Sequence, residues 1–473
     1  MSSRVEAQGS VIVVGGGVAG IAASVALADS GFKVTLLEKR PLLGGRASSF
    51  IDPQTGERLD ECQHGTMRCC TNLADLLERL GVSEQIHYFD VLSFLDSEGK
   101  YSEIKGCGLP APLHTSLSFL LFKSLSLADK IGIAKAMILM LRAGNRPEHA
   151  TTSIGEWFRK TGQTERAIKR FWRPILVSAC NEELDRIACL YAFKVFREGF
   201  LGHPTAYHFG VPRIPLGSLY TEPTLAYLKE RGAEVRVRTI VEGFEVVEGC
   251  VTGVLLPDGT RLTADHYVSG LQFDLLLKAL PESAILGVPY FENLKEMEVA
   301  PLAGIHLWFD RAFECPPAIA ILDRETEWIF NKTENWALER TQGTYLSIVI
   351  SASHRFAKTP KEELVAKILE EVRACIPGAR GAELVKSQVI RWPKATLVPR
   401  AGLEALRPKQ RSPLKNLYIA GEWTDTGWPS TMEAAARSGY LAVEALLEDC
   451  GKPKKIVTPD LPTAPLARLL YKK

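Results

Sequence analysis

The chain has 473 residues, of which 46% are apolar and 24% charged, and a formal net charge of +2. That length suits two domains, each with its own core, and the near-neutral balance argues against a nucleic-acid partner. No uncharged apolar run reaches the ~18 to 20 residues of a membrane-spanning helix, and the first ten residues lack the apolar stretch of a signal peptide. The ten Cys form no CxxC pair, so neither a zinc site nor a disulfide framework is predicted; reduced, mostly buried thiols in a cytoplasmic protein are expected.

Val11 to Val14 reads as a short buried strand. A glycine cluster follows, then a helix from Val18 to Ser30 that Gly31 ends, then a strand from Lys33 to Leu37. This is a βαβ unit. Gly15, Gly17 and Gly20 fall at the strand-to-helix corner in G-x-G-x-x-G spacing. Gly15 suits the tight turn, Gly17 the close approach of a pyrophosphate, and Gly20 the packing of the helix. The helix N-terminus offers N–H groups and partial positive charge to the anion. Glu38, 18 positions after Gly20 at the end of the second strand, suits a ribose hydroxyl. Gly44 and Gly45 let backbone lie against phosphate, and Arg46 adds a fixed charge.

From about Leu109 to Phe200 helices are expected. Between Ser116 and Ala143, Leu, Phe, Ile and Met dominate, with Lys123, Lys130, Lys135 and Arg142 interspersed. Such a surface can be core, a substrate tunnel or a face lying on a bilayer. Strands are expected from Gly232 to Val241, from Gly253 to Leu256 and from Leu262 to Val268. Further strands are read from Leu302 to Phe309 and from Thr344 to Ser351, and a helix from Glu362 to Cys375. Asn416 to Ala420 is the final strand. It enters a loop, Gly421-Glu-Trp-Thr-Asp-Thr-Gly-Trp-Pro429, and then a helix that starts near Ser430, Thr431 and Met432. Two Trp, two Gly and a Pro on one connection point to a loop approached by a large flat ligand. The basic, Pro-rich tail carries Asp460 as its one acid; it is read either as solvated chain or as a contact with anionic lipid.

Gly44-Gly-Arg46 after the acid, and Gly421, Glu422, Pro429, Glu433, Ala434, Ser438 and Gly439 near the end, resemble the flavin-containing amine oxidase and phytoene desaturase superfamily. The resemblance implies FAD in an extended pose. Glu422 would lie near the ribityl and pyrophosphate region, Val241 would hold the adenine by its backbone, and Ser430 to Met432 would bring a helix N-terminus to the flavin. It also implies a Rossmann-like, doubly wound and discontinuous α/β domain (residues 1–95, 205–275 and 395–450). A mixed α+β substrate domain (96–204 and 276–394) carries the helical insert, and 451–473 is the tail.

Gln63-His64-Gly65, Leu109 to His114, Phe171 to Pro174, Asn181 and Arg391 to Thr396 are similar to the squalene-associated FAD-dependent desaturases. That branch implies reductive dehydroxylation of hydroxysqualene to squalene for hopanoid synthesis. His64 is then the candidate acid, with Trp392 and Lys394 near the flavin face. The alternatives are a phytoene-type carotenoid desaturase running hydride the other way, a flavin amine oxidase, and a non-catalytic flavin-binding module. The expected partner is an apolar isoprenoid, the reductant is undefined, and the location is the cytoplasm, free or peripheral on the inner face of the cytoplasmic membrane.

Overall fold

A computed structural model describes residues 8–471 except 54, 145, 340 and 342. The first seven residues and the tail residues Lys472 and Lys473 therefore lie outside the described residues. Five parallel strands make the first sheet, in the order Glu234–Arg236, Lys33–Leu37, Ser10–Val14, His266–Ser269, Leu417–Ile419. These strands come from three distant parts of the chain. Ser10–Val14 is central, and the strand order reverses there, so a crevice opens at its C-terminal end beside the glycine cluster. The short apolar runs suit strands buried on both faces.

The first helix, Val18–Asp29, is buried from Val18 to Ala28 and packs against the last long helix, Met432–Asp449. The approach is close. A Cβ on Gly439 would lie 2.4 Å from Ala19 O, which is the physical reason for a Gly at that position.

The second large sheet is mixed and has seven strands: Leu384–Leu397, Val299–Phe309, Thr344–Ile350, Trp328–Asn331, Ala318–Ile321, Val91–Leu95, Tyr101–Lys105. The helix Lys361–Cys375 covers an apolar layer formed by this sheet. The chain is thus a mixed α/β protein with a Rossmann-type parallel sheet and a second mixed sheet.

Two strand expectations are corrected. Residues 262–268 alternate apolar and polar but do not form one strand. Arg261–Leu262 ends a small antiparallel sheet, and after a break His266–Ser269 enters the parallel sheet. Of residues 232–241, only Glu234–Arg236 is strand, because Arg238 adopts a left-handed φ of 56° and takes the chain out of the ladder. Val241 lies in the connection that follows.

The insert contains the helices Ser116–Leu120 and Leu127–Arg142. Ser126 and Asp129 form a capping box at the second, and Asp129 also accepts from Thr164 Oγ1 at 2.5 Å. Ile133, Ala136, Met140 and Leu141 face the interior, yet Leu127 and Ile131 on the other side are 69% and 61% exposed. This helix is apolar on both faces. The ten cysteines are free thiols, five buried and five half-buried.

Candidate functional site

Gly15 takes φ 102° and donates its N–H to Leu37 O at 2.8 Å, which turns the chain out of the central strand. A Cβ on Gly20 would sit 1.9 Å from Gly15 O, so helix and turn are in contact through backbone. Gly17 is the N-cap of the first helix and offers no side-chain cap. The first helical bond runs from Ile21 N to Gly17 O, which leaves the amides before Ile21 available to an anion.

The Gly44–Gly45 corner closes over this turn. Gly44 N donates to Gly16 O at 2.8 Å, and a Cβ on Gly45 (φ 63°) would lie 3.0 Å from Gly17 Cα. Gly17 itself has open space, since its own Cβ would come no nearer than 3.9 Å to any neighbour. The buried Glu38 carboxylate accepts from Gly16 N at 2.7 Å and from Arg40 N at 2.8 Å. It thereby fixes the cradle, and each oxygen keeps capacity for a further donor such as a hydroxyl. Thr239 N bonds Glu38 O at 2.9 Å, which brings the Val241 connection to the same edge.

Arg46 joins this corner to two distant segments: Nη1 donates to Ala395 O at 2.6 Å and Nη2 to Glu422 Oε1 at 2.5 Å. Beyond Glu422, Trp423 donates to Leu271 O at 3.1 Å and packs edge-on against Phe273, while Trp428 is buried on the other side. The two Trp therefore anchor the loop to the protein body. Arg407 is the clamp that sequence reading missed. Its buried guanidinium donates to Trp428 O at 2.7 Å, to Glu422 O at 2.9 Å and to Thr426 Oγ1 at 3.2 Å. A lone Arg among neighbours unrelated in sequence gives no pattern to read.

Thr431 is the N-cap of the last long helix, accepting from Ala434 N, and Met432 is its first residue. Tyr220 lies against Gly44 and donates weakly to Met432 Sδ at 3.7 Å, so first and last corners meet through it. Ser430 Oγ is buried at this helix N-terminus with no hydrogen-bond partner among the described residues. Glu433 serves structure: it accepts from Asn72 N and Leu73 N at 2.9 Å and so caps the helix Thr71–Arg79. A glycine cradle open at Gly17, amides free of helical bonds at one helix start and a buried hydroxyl without a partner among the described residues at the other fit an extended dinucleotide with a flavin at one end.

His64 lies within electrostatic reach of Arg46. Its Nδ1 is 3.1 Å from Cys62 O, and since a carbonyl only accepts, Nδ1 carries the proton. Burial holds this imidazole below its ordinary range, and the Arg46 and Lys332 cations add to that. The ring is neutral with an accepting Nε2, which differs from the acid expected here. Burial pushes the Cys62 thiol up to about 12, so it is no nucleophile.

Beneath this segment Asp60 Oδ2 accepts from Lys332 Nζ at 2.7 Å, with both side chains fully buried. Ser49 Oγ and Leu216 N, at 2.9 and 2.8 Å, donate to Asp60 Oδ1. Phe209 covers Gly65: a Cβ there would lie 2.2 Å from the Phe209 ring. Phe209 in turn stacks on Trp328 at 5.8 Å, and together they wall a cavity of about 230 Å³ with Phe89, Val91, Leu92 and Pro317.

Lys394 is corrected. The Leu384–Leu397 strand bulges opposite Pro301, with Ala300 facing Thr396 and Leu302 facing Trp392. Pro393 is tolerated because this is an edge strand. The bulge turns Lys394 outward to Asp274 at 2.5 Å, where it is 57% exposed, and aims the Ala395 carbonyl at Arg46. Trp392 stays half-buried beside the bulge.

A family model described as flavin containing amine oxidoreductase matches residues 18–447. Among curated proteins, the 15-cis-phytoene desaturase of Solanum lycopersicum is 24% identical, with 93% of this chain and 78% of the relative covered. The zeta-carotene desaturase of Synechocystis sp. is 26% identical, with 92% and 97% covered. Among solved structures, an oxidoreductase from Methanosarcina mazei superimposes with a TM-score of 0.70 at 17% identity, covering 93% of this chain and all of the other. Cyclohexylamine oxidase from Brevibacterium oxydans gives 0.68 at 17%, with 94% and 99% covered. These structures share the fold.

Proposed function

The chain belongs to the flavin containing amine oxidoreductase family and is an FAD-dependent oxidoreductase, and from that premise we propose that it acts on a long apolar isoprenoid. The observation that carries this reading is the aromatic cavity beside Gly65. Its Tyr101–Lys105 wall strand is hydrogen-bonded to the exposed apolar insert, through Ser118 Oγ to Lys105 and through Ser102 Oγ to Lys123 N at 3.0 Å. The cavity thus lies against the strand that carries the exposed apolar insert.

FAD, when bound, supplies two-electron redox chemistry. The glycine corners and Arg46 would hold its pyrophosphate, Glu38 its ribose and the Ser430 to Met432 helix start its flavin end. Phe209 and Trp328 exclude water and orient the chain. His64 is the proton-handling group of this reading. With Nδ1–H tied to Cys62 O, its Nε2 can take a proton and has none to give.

Oxidative desaturation of a carotenoid-type precursor is the first reading, supported by the curated relatives, both named as desaturases. Dehydroxylation of hydroxysqualene is the second reading. It is supported by Gln63 to Gly65, Phe171 to Pro174 and Arg391 to Thr396, and burial opposes the imidazolium that either direction of reaction would place on His64. The flavin amine oxidase alternative gains nothing from Lys394, which turns away to Asp274. One paired assay decides: oxidised protein with phytoene and a quinone, and anaerobically reduced protein with hydroxysqualene. A new conjugated polyene supports the first reading, squalene the second, and neither product at full FAD occupancy overturns both.

The insert supports docking on an anionic bilayer. Leu117, Leu120, Leu121, Leu127 and Ile131 are all more than half exposed, with Lys123, Lys130 and Lys135 among them. A fully buried side chain of this kind contributes about 1.5–3 kcal/mol. The Leu121→Ser, Leu127→Ser, Ile131→Ser variant is therefore expected to lose at least about tenfold in vesicle affinity in flotation assays. Equal flotation of variant and wild type would remove the bilayer from the account.

A further inference from the structure

The tail is laid along the protein body. Ile456 and Val457 donate their N–H groups to Glu444 Oε1 at 2.7 and 2.9 Å, and Thr458 exchanges hydrogen bonds with Asn72 at 2.9 and 3.0 Å. Further on, Ala464 N donates to Gly202 O at 2.8 Å, and the short helix Pro465–Leu470 rests on the insert helix Leu127–Arg142.

Between these attachments stands Asp460, the one acid of the tail. Its Oδ2 takes Lys194 Nζ at 2.8 Å, and its Oδ1 takes Arg437 Nη2 and, at 3.3 Å, the indole N–H of Trp428. Lys194 lies over the Trp428 ring at 4.8 Å, and Leu461 joins Cys69, Trp428 and Ala434 in a small apolar cluster. Trp428 belongs to the late loop and Arg437 to the helix that follows it. Both flank Ser430 to Met432, the turn assigned above to the flavin.

We infer that Asp460 is a positioning residue for the cofactor: it holds Trp428 and Arg437 together, and through them the helix start that receives the flavin. The inference rests on the FAD reading of that loop. A solvated or lipid-seeking tail would leave its single acid in water, whereas here that acid is shared by two cations and an indole. Without Asp460, Lys194 and Arg437 keep Glu198 and Glu433 as carboxylate partners among the described residues, and the Trp428 indole N–H loses the acceptor it has here.

The test is FAD titration of deflavinated full-length protein, with the melting temperature of the deflavinated form measured alongside. Asp460→Ala is expected to weaken FAD binding on the order of tenfold, the scale of one charge-assisted contact, while the deflavinated melting temperature moves little. Asp460→Glu is expected to recover most of the affinity. If Asp460→Ala binds FAD as tightly as wild type, the inference is overturned, whether or not the deflavinated form melts earlier, and the FAD reading stands. If wild type itself takes up no FAD, both fall.

Discussion

Gly17→Ala is expected to fold with an unchanged melting temperature and to bind little or no FAD. The reason is the contrast between neighbouring glycines. Gly17 has φ −71° and ψ 173°, values any residue adopts, and its Cβ would find open space, so the protein alone tolerates the methyl. That open space is where a pyrophosphate must approach the helix amides, and a methyl there costs close contact and several hydrogen bonds together, about 3 kcal/mol or more. More than a hundredfold in affinity follows. Gly20→Ala is expected to behave differently. Its Cβ would meet Gly15 O at 1.9 Å, backbone against backbone, so the turn itself must shift and stability falls with or without cofactor. Calorimetry with a flavin titration on both variants checks the pair; full FAD binding by Gly17→Ala would break the assignment of the cradle.

Lys332→Met and Asp60→Asn are each expected to lower stability by about 3–5 kcal/mol, since each leaves an uncompensated charge or unpaired polar group in a fully buried site. The double variant is expected to recover at least half of that loss, because a methionine fills the lysine's apolar course and no charge remains. The pair joins the strand Arg58–Asp60, which leads into Cys62 to Gly65, to the start of the Lys332–Asn335 helix in the second domain. It therefore ties the strand that precedes the His64 segment to the end of the Trp328–Asn331 strand. Melting temperatures of the two single variants and the double variant give the coupling; additive losses would show that the two groups do not depend on each other.

Local signals carried much of this fold. The structure brings the glycine corner, Glu38, Arg46 and the late loop together. They are legible as one cluster because a tight strand-to-helix turn and a crowded loop restrict residue choice at short spacing. Long-range polar chemistry is not. Asp60 and Lys332 are 272 positions apart, and Arg407 reaches the loop from outside any motif. The aim of Lys394 is not legible from spacing, because it depends on a bulge around Pro393, and a one-residue change of phase moves a strand residue to the other face. Glu433 and Gly439 matched a ligand-binding pattern yet serve packing, as a helix cap and a close helix crossing. The course of the tail is not legible in its Lys- and Pro-rich composition, because its attachments are backbone bonds to Glu444, Asn72 and Gly202 and one Asp shared with Lys194 and Arg437.

The most direct measurement is the flavin content of the purified full-length chain, read from what denaturation releases and from what the stripped protein takes back. The account predicts one FAD per chain, and re-uptake of FAD in strong preference to FMN, which lacks the adenosine half that the glycine cradle, Glu38 and the Val241 connection would hold. A protein that carries no flavin and takes up neither form would contradict it.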